Sequence, residues 1–289
     1  VLVCGYHGWQ DWYIASTTRD KGIPAATGAL THKFQFNDIP AVEALLAQLK
    51  GLVAAIILEP MNVEFPKPGY LESLREIASR EGAVLVFDET ITGFRYANGG
   101  AQELFGVTPD LTTLGKGIAN GFPLSAVCGR RDLMREMEEV FFSFTMGGET
   151  MSLAAAMATL AKLQREPVTA TLARRGELLM QGLRARIQTH GVSAFCRVAG
   201  HPTWSFFMID GTGESSAYEL KTLWLQEMFA RGFLSLGTHN ITYAHTDDDV
   251  DRLLGAYDEV LPLLRDAAAN NSVRQYLRCD PLVPLFKVR

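Results

Sequence analysis

Val84-Leu85-Val86-Phe87-Asp88-Glu89-Thr90-Ile91-Thr92-Gly93 is the stretch whose reading decides the fold. An apolar run that ends on a carboxylate reads as a buried parallel strand delivering an acid to its C-terminal end. That edge is where open α/β sheets bind ligands. Further along, in Leu114-Gly115-Lys116-Gly117, a lysine stands between two glycines. The glycines leave close backbone room around it, and a neutral lysine amine condenses with aldehydes.

The surrounding chain repeats the strand–helix alternation. Apolar runs at 1–3, 53–58 and 83–87 are separated by helical patterns. Asp38-Ile39-Pro40 supplies a cap and then a proline, which opens a helix over 42–49. Leu71, Leu74, Ile77 and Ala78 recur at helical spacing before Gly82. Such repetition with uncharged strand interiors predicts a parallel sheet covered on both faces. A further strand is expected at 125–128 and an alanine-rich helix at 151–163. Composition then changes. An amphipathic helix is expected at 169–190, strand-like runs at 195–199, 204–209 and 233–236, and helices at 217–231 and 248–267. His245-Thr246-Asp247-Asp248 reads as a helix N-cap run, and the tail from Asn270, with Pro281 and Pro284, as irregular.

The 289 residues suffice for one large or two modest domains. A hydrophobic share of 47% with 20% charged residues describes an ordinary globular chain. The net charge of −5 argues against nucleic acid or an anionic membrane as partner. No apolar run is long enough for a membrane-spanning helix, and no signal peptide is visible. Cys4, Cys128, Cys196 and Cys279 lack metal or redox spacing, so free thiols in a reducing compartment are expected, with the cytoplasm as default.

An acid for a pyridinium nitrogen and a Schiff-base lysine are the two protein groups that pyridoxal phosphate needs. On spacing alone, Lys116 reads equally as a solvated loop residue. The wider wording is more specific. Val86-Phe87-Asp88-Glu89-Thr90-Ile91-Thr92-Gly93-Phe94-Arg95, Phe105-Gly106-Val107-Thr108-Pro109-Asp110-Leu111 and Gly115-Lys116-Gly117-Ile118-Ala119-Asn120-Gly121-Phe122-Pro123-Leu124 strongly resemble class III aminotransferases. Within that class the likeness is greatest to the glutamate-1-semialdehyde aminomutase branch, and it covers nearly the whole chain. It implies an α/β, type I pyridoxal-phosphate-dependent transferase fold. A large domain with a mainly parallel sheet is expected over 1–160, and a small α+β domain with its tail over 161–289.

The resemblance also implies roles. Lys116 forms the Schiff base (internal aldimine) and then shuttles a proton, and Asp88 pairs with the pyridine nitrogen. Tyr6-His7-Gly8-Trp9 resembles the family's aromatic-His-Gly motif, whose ring stacks on the cofactor. Tyr6 and His7 are thus cofactor candidates, with a core aromatic and a structural histidine as the plainer readings. Thr90 occupies the family's branched apolar slot on the other ring face. Ile91 stands where relatives use a glutamine toward the ring hydroxyl. In Ser143-Phe144-Thr145-Met146-Gly147-Gly148-Glu149-Thr150, Thr145 fits the threonine that reaches the phosphate in the neighbouring subunit, and a helix-capping turn is the alternative. Glu59-Pro60 ends a strand at the same edge. In many relatives such a glutamate pairs with an arginine that binds substrate carboxylate, but 234–242 holds no arginine. His239 and Asn240 stand there instead, as candidates for a hydroxylated substrate or as structural groups. Glu89 reads equally as structural or catalytic.

The expected activity is transfer of an amino group, through a pyridoxamine intermediate, from a donor such as glutamate to a carbonyl acceptor, with a lean toward a sugar-like one. A glutamate-1-semialdehyde-type 2,1-aminomutase is the same-cofactor rival. A catalytically incomplete binding or structural fragment is the rival of another class. A Rossmann dehydrogenase is disfavoured, because no strand is followed by G-x-G-x-x-G. The partners expected are a small-molecule donor and acceptor, and a second copy forming a homodimer with shared active sites. Val1-Leu2-Val3-Cys4-Gly5 reads as a strand already under way. Relatives place most of their phosphate-binding donors ahead of it, so residues 1–289 alone are expected to fold poorly and bind cofactor weakly.

Overall fold

The uncharged runs find each other as parallel neighbours. In the computed structural model, which describes residues 1–213, 215–270 and 272–283, six strands form one sheet. They are β1 (Leu2–Cys4), β2 (His32–Lys33), β3 (Ala55–Leu58), β4 (Val84–Asp88), β5 (Leu111–Leu114) and β6 (Ala126–Gly129), in the order β2-β1-β3-β4-β5-β6. All pairings are parallel except β5–β6. The sheet therefore presents the ends of β1, β3, β4 and β5 along one edge. Leu2, Ile56, Leu58, Leu85 and Phe87 are fully buried and pack with Val42, Leu71, Leu74 and Ile77 of the covering helices. Those helices run Ile39–Leu49 and Tyr70–Glu81. The first is capped as its sequence predicts, the Asp38 carboxylate accepting from Ala41 N at 3.0 Å.

The Pro109-Asp110-Leu111 motif is a latch. Asp110, nearly fully buried, accepts from Leu85 N and Arg75 at 2.8 Å and from Arg130 at 2.9 Å. Burial alone would raise its proton affinity, but these donors hold the carboxyl below the ordinary range. One acid thus joins β4, the start of β5, the end of β6 and the helix beside them. Asp110→Ala strands the Arg75 guanidinium and a backbone N–H, while Arg130 keeps Asp132 as its partner. We expect a loss of about 3 kcal/mol in urea unfolding of the full-length protein; a loss under ~1 kcal/mol would show the latch to be dispensable.

The chain divides into two compact units, Val1–Thr169 and a second beginning at Ala170. In the second, β7 (Cys196–His201), β8 (Trp204–Ile209) and β9 (Thr238–Asn240) form an antiparallel sheet in that order. It lies with the helices Val168–Thr189, Ala217–Ala230 and Asp247–Ala269. Phe207, Trp224 and Tyr257 make its aromatic core. Thr246 caps the last long helix in a reciprocal capping box with Asp249, as the His245-Thr246-Asp247-Asp248 run suggests.

Two expectations are corrected. The third strand lies at Thr238–Asn240 and not at 233–236. Gly237, at φ +91°, turns the chain, and its carbonyl accepts from Phe207 N, so pairing starts only there. Leu234 and Leu236 are left exposed. The tail is not wholly irregular, since Val273–Tyr276 forms a helical turn. Pro284 lies outside the described residues. Among the described residues, no helix is long and apolar enough to cross a membrane.

Candidate active site

Because β1, β3, β4 and β5 run parallel, the residues that follow each strand emerge at one edge: Tyr6 and His7, Glu59, the terminal Asp88, and Lys116. Asp88 is the most firmly held. Its Oδ2 lies 2.8 Å from His7 Nδ1, and its Oδ1 accepts from Thr113 Oγ1 at 2.9 Å and from Thr90 N at 3.1 Å. Burial alone would raise its proton affinity. The hydrogen bonds from His7 and Thr90 outweigh burial and hold the carboxyl down at about 2, so it is ionised at neutral pH.

His7 is buried and has its other ring nitrogen, Nε2, 3.0 Å from the carbonyl of Cys4. Its place is fixed by the turn after β1. Gly5, at φ +103°, makes that turn, and a Cβ there would sit 2.6 Å from Glu59 Oε2. Tyr6 leaves the turn with its ring half exposed and edge-on to Tyr13, whose hydroxyl donates to Gly5 O at 2.8 Å.

Glu59 Oε2 accepts from Tyr6 N and from Asn62 Nδ2, both at 3.1 Å. Burial raises its proton affinity above the usual glutamate range; those two donors and nearby His7 offset this only in part, and Asp88 adds to the rise. Two carboxyls on one edge thus have proton affinities pushed apart by their surroundings. For a group raised in the folded state, the linked stability is complete below the unfolded value and is lost as pH rises through the folded one. Glu59→Gln keeps an acceptor for both donors and removes that loss. The variant should be more stable than the parent at pH 7 and equal to it near pH 4. Thermal melts across this range test the point; a parent advantage at pH 7 would contradict it.

Lys116 follows β5 after Gly115 and opens the helical turn Lys116–Ile118. It is exposed and sits in the left-handed region, at φ +43°. Gly115 before it packs closely on Thr90, since a Cβ there would lie 3.1 Å from Thr90 Cγ2 and the methyl would have to give way. Thr90 therefore touches both the acid, through its N–H, and the backbone that carries the lysine. Ile91 is half buried in the next position.

Other candidates fall elsewhere. Thr145 lies in the exposed stretch before the Thr150–Arg165 helix and joins none of these hydrogen bonds; Glu149 caps that helix instead. Glu89, fully buried, accepts from Thr92 Oγ1, Ala101 N, Gln102 N and Gln102 Nε2, and so caps the Gly100–Phe105 helix as a structural group. His239, in the second unit, is buried with its ring nitrogens 3.0 Å from Ser205 Oγ and 2.8 Å from Tyr257 OH. It cannot serve as a surface contact, and burial lowers its proton affinity to about 4. Asn240 is exposed. Two neighbours of the site were not singled out from sequence, Thr113 and Asn62. Thr113 is opposite Asp88 in the parallel register, which is the one signal that could have found it.

The donor set fits a cationic heteroaromatic ring carrying an aldehyde. It offers an ionised carboxylate, an exposed aromatic face and a primary amine at one sheet edge. The comparisons agree with this chemistry. The chain is 33% identical over 267 residues to a 3-aminobutyryl-CoA aminotransferase of Cloacimonas acidaminovorans, covering 89% of this chain and 63% of the relative. It is 34% identical over 289 residues to a glutamate-1-semialdehyde 2,1-aminomutase of Syntrophobacter fumaroxidans, covering 91% and 67%. It thus spans about two thirds of the length of these curated relatives. Among solved structures it superposes with a TM-score of 0.83 on the PLP internal aldimine form of the FumI protein of Sphingopyxis sp. MTA144, at 25% identity, covering 96% and 68%. A transaminase with PLP bound gives a TM-score of 0.84 at 21% identity, covering 93% and 68%. The fold is therefore that of the pyridoxal-phosphate transaminases. The model of the aminotransferase class-III family matches residues 2–222, and with it the chain belongs to that family.

Proposed function

We propose that the protein is a pyridoxal-phosphate-dependent aminotransferase that moves an amino group from a small-molecule donor such as glutamate to a carbonyl acceptor. The observation that carries this reading is Asp88, ionised and held at three points on the edge from which Lys116 emerges. Bound there, pyridoxal phosphate would supply an aldehyde for the lysine amine and a protonated ring that draws electrons from the carbon being deprotonated.

The chain's own groups do the rest. The Asp88 carboxylate holds the proton on the ring nitrogen. Tyr6 offers the stacking face, and Thr90 packs from the other side. His7 reaches the cofactor only through Asp88. Lys116 Nζ would anchor the cofactor by its aldehyde and, as a free amine, would carry the proton between the two reacting carbons. Ile91 brings no polar group toward the ring hydroxyl. Glu59 lies close enough to act on Asp88 and His7 through charge. The sugar-like acceptor loses one support, because His239 is committed to Ser205 and Tyr257.

A homodimer with shared sites completes the proposal. Thr145 would reach the phosphate bound by the second copy. Around it Phe141, Phe142, Phe144, Met146, Met151 and Met157 are all at least 60% exposed, an apolar surface that a second copy would cover. The four free cysteines suit a reducing cytoplasm.

The test is spectroscopic, on the full-length protein. Single amines are added without acceptor, and the visible cofactor band is followed. Bleaching by an amino donor, restored by a keto acid, supports transfer between two substrates. A band that responds only to a single amino-aldehyde substrate would favour the aminomutase. Borohydride reduction with peptide mapping should place the adduct on Lys116; an adduct on another lysine would overturn the assignment.

A further inference from the structure

We infer that Thr113 is a positioning residue for the acid of this site. Its hydroxyl fixes the Asp88 carboxylate so that a single acceptor position remains, on Oδ2, for the ring nitrogen of a bound cofactor. The inference rests on the proposed pyridoxal-phosphate reading and deepens it.

An ionised carboxylate has about four acceptor positions. Three are occupied within the chain. Thr113 Oγ1 and Thr90 N both donate to Oδ1, at 2.9 and 3.1 Å, and His7 Nδ1 meets Oδ2 at 2.8 Å. The fully used oxygen is Oδ1, so the free position belongs to Oδ2. Thr90 donates from the backbone and cannot be altered by its own side chain. His7 is pinned from behind by the Cys4 carbonyl at 3.0 Å. Thr113 is the member that comes from the next strand, and the register pairs its Cα directly with that of Asp88. Glu89 N donates to Thr113 O at 3.0 Å, which locks this register one residue past the acid.

The strand's alternation assigns the two threonines of β5 to opposite tasks. Thr112 is buried, and its hydroxyl accepts from Gln102 Nε2 at 3.1 Å, within the network that holds Glu89. Thr113 turns to the other face and meets Asp88. Lys116 stands three residues after Thr113 on the same segment. One short piece of chain thus carries the amine and also sets the direction of the acid. A shift of β5 would move both together, because the hydroxyl ties the Asp88 carboxylate itself to the strand that leads to Lys116. Without it Oδ1 keeps only the Thr90 N–H while His7 still meets Oδ2, so an acceptor position opens on each oxygen and the free position ceases to point one way.

The test compares Thr113→Val, which keeps the β-branched shape and removes the hydroxyl, with Thr113→Ser, which keeps it. Full-length holoenzyme is used, with pyridoxal phosphate as the probe. Three quantities are read: the pH midpoint of the visible cofactor absorbance, the single-turnover rate with an amine donor, and the thermal midpoint of the cofactor-free protein. Thr113→Val should shift the absorbance midpoint and slow the single turnover about tenfold, with KM for the donor nearly unchanged. Thr113→Ser should recover both, and the thermal midpoints of the two variants should agree within a few degrees. An unshifted midpoint with a parental rate in Thr113→Val overturns the inference, as does a serine variant as impaired as the valine one. If the parent itself forms no visible band with the cofactor, the underlying reading falls along with the inference. A normal parental band with an indifferent valine variant removes the role of Thr113 alone.

Discussion

Lys116→Ala abolishes amino-group transfer while leaving the protein folded and able to hold some cofactor without a covalent bond. The side chain is exposed and makes no hydrogen bond among the described residues, so its removal leaves no buried partner stranded. Its amine, in the proposed reading, is both anchor and proton carrier, and among the described residues following β1, β3, β4 and β5 at this edge no other site candidate is a lysine. We expect turnover to fall at least about ten-thousandfold. The backbone adds a second, independent expectation. At φ +43° a side chain with a Cβ costs roughly 1–2 kcal/mol that glycine does not. Glycine returns part of this through its freer unfolded state. Lys116→Gly should therefore be as inactive as the alanine variant yet more stable than it, by up to about 1 kcal/mol. Assays and urea unfolding on both variants decide the matter. Turnover within a hundredfold of the parent would remove Lys116 from the chemistry, and equal stabilities would show that the left-handed turn costs nothing.

The fold was legible in the chain to the extent that its signals were local. The apolar run ending at Asp88, the Asp38 cap and the helical spacing of Leu71, Leu74 and Ile77 each act within a few residues and reappear in the structure. What could not be read depends on pairing across distance. Thr113 looks like any β-branched strand residue until the register sets it beside Asp88. Glu89 looks like half of an acidic pair until it is seen capping a helix that begins at Gly100 and has no capping side chain of its own. His239 looked available because its partners, Ser205 and Tyr257, come from another strand and a distant helix. The run at 233–236 has strand composition, but edge pairing begins only after Gly237. Thr145 differs from these, since its proposed target belongs to a second copy of the chain.

Asp88→Asn should lower the single-turnover rate about a hundredfold, far more than it lowers cofactor affinity. Its fold should survive because the amide can satisfy the same neighbours. The side-chain oxygen replaces Oδ1 as acceptor for Thr90 N and Thr113 Oγ1, and the NH₂ can donate to His7 Nδ1 when that ring donates only to the Cys4 carbonyl. A neutral amide cannot hold the ring nitrogen protonated, and losing about 3 kcal/mol at the transition state is roughly a hundredfold. Stability against pH gives a second readout that needs no substrate. Asp88 has its folded-state proton affinity depressed to about 2, from an ordinary 3.8. Its linked stability, about 2 kcal/mol, is therefore present above pH ~4 and is lost as pH falls toward 2. The parent should weaken across that window, and the Asn variant should lack this part of the slope. Unfolding measured between pH 2 and 5, next to single-turnover rates at pH 7, tests both halves. A near-parental rate would show that Asp88 is not the partner of the ring nitrogen. An unchanged acid slope would show that the carboxylate is not the buried, hydrogen-bonded anion described above.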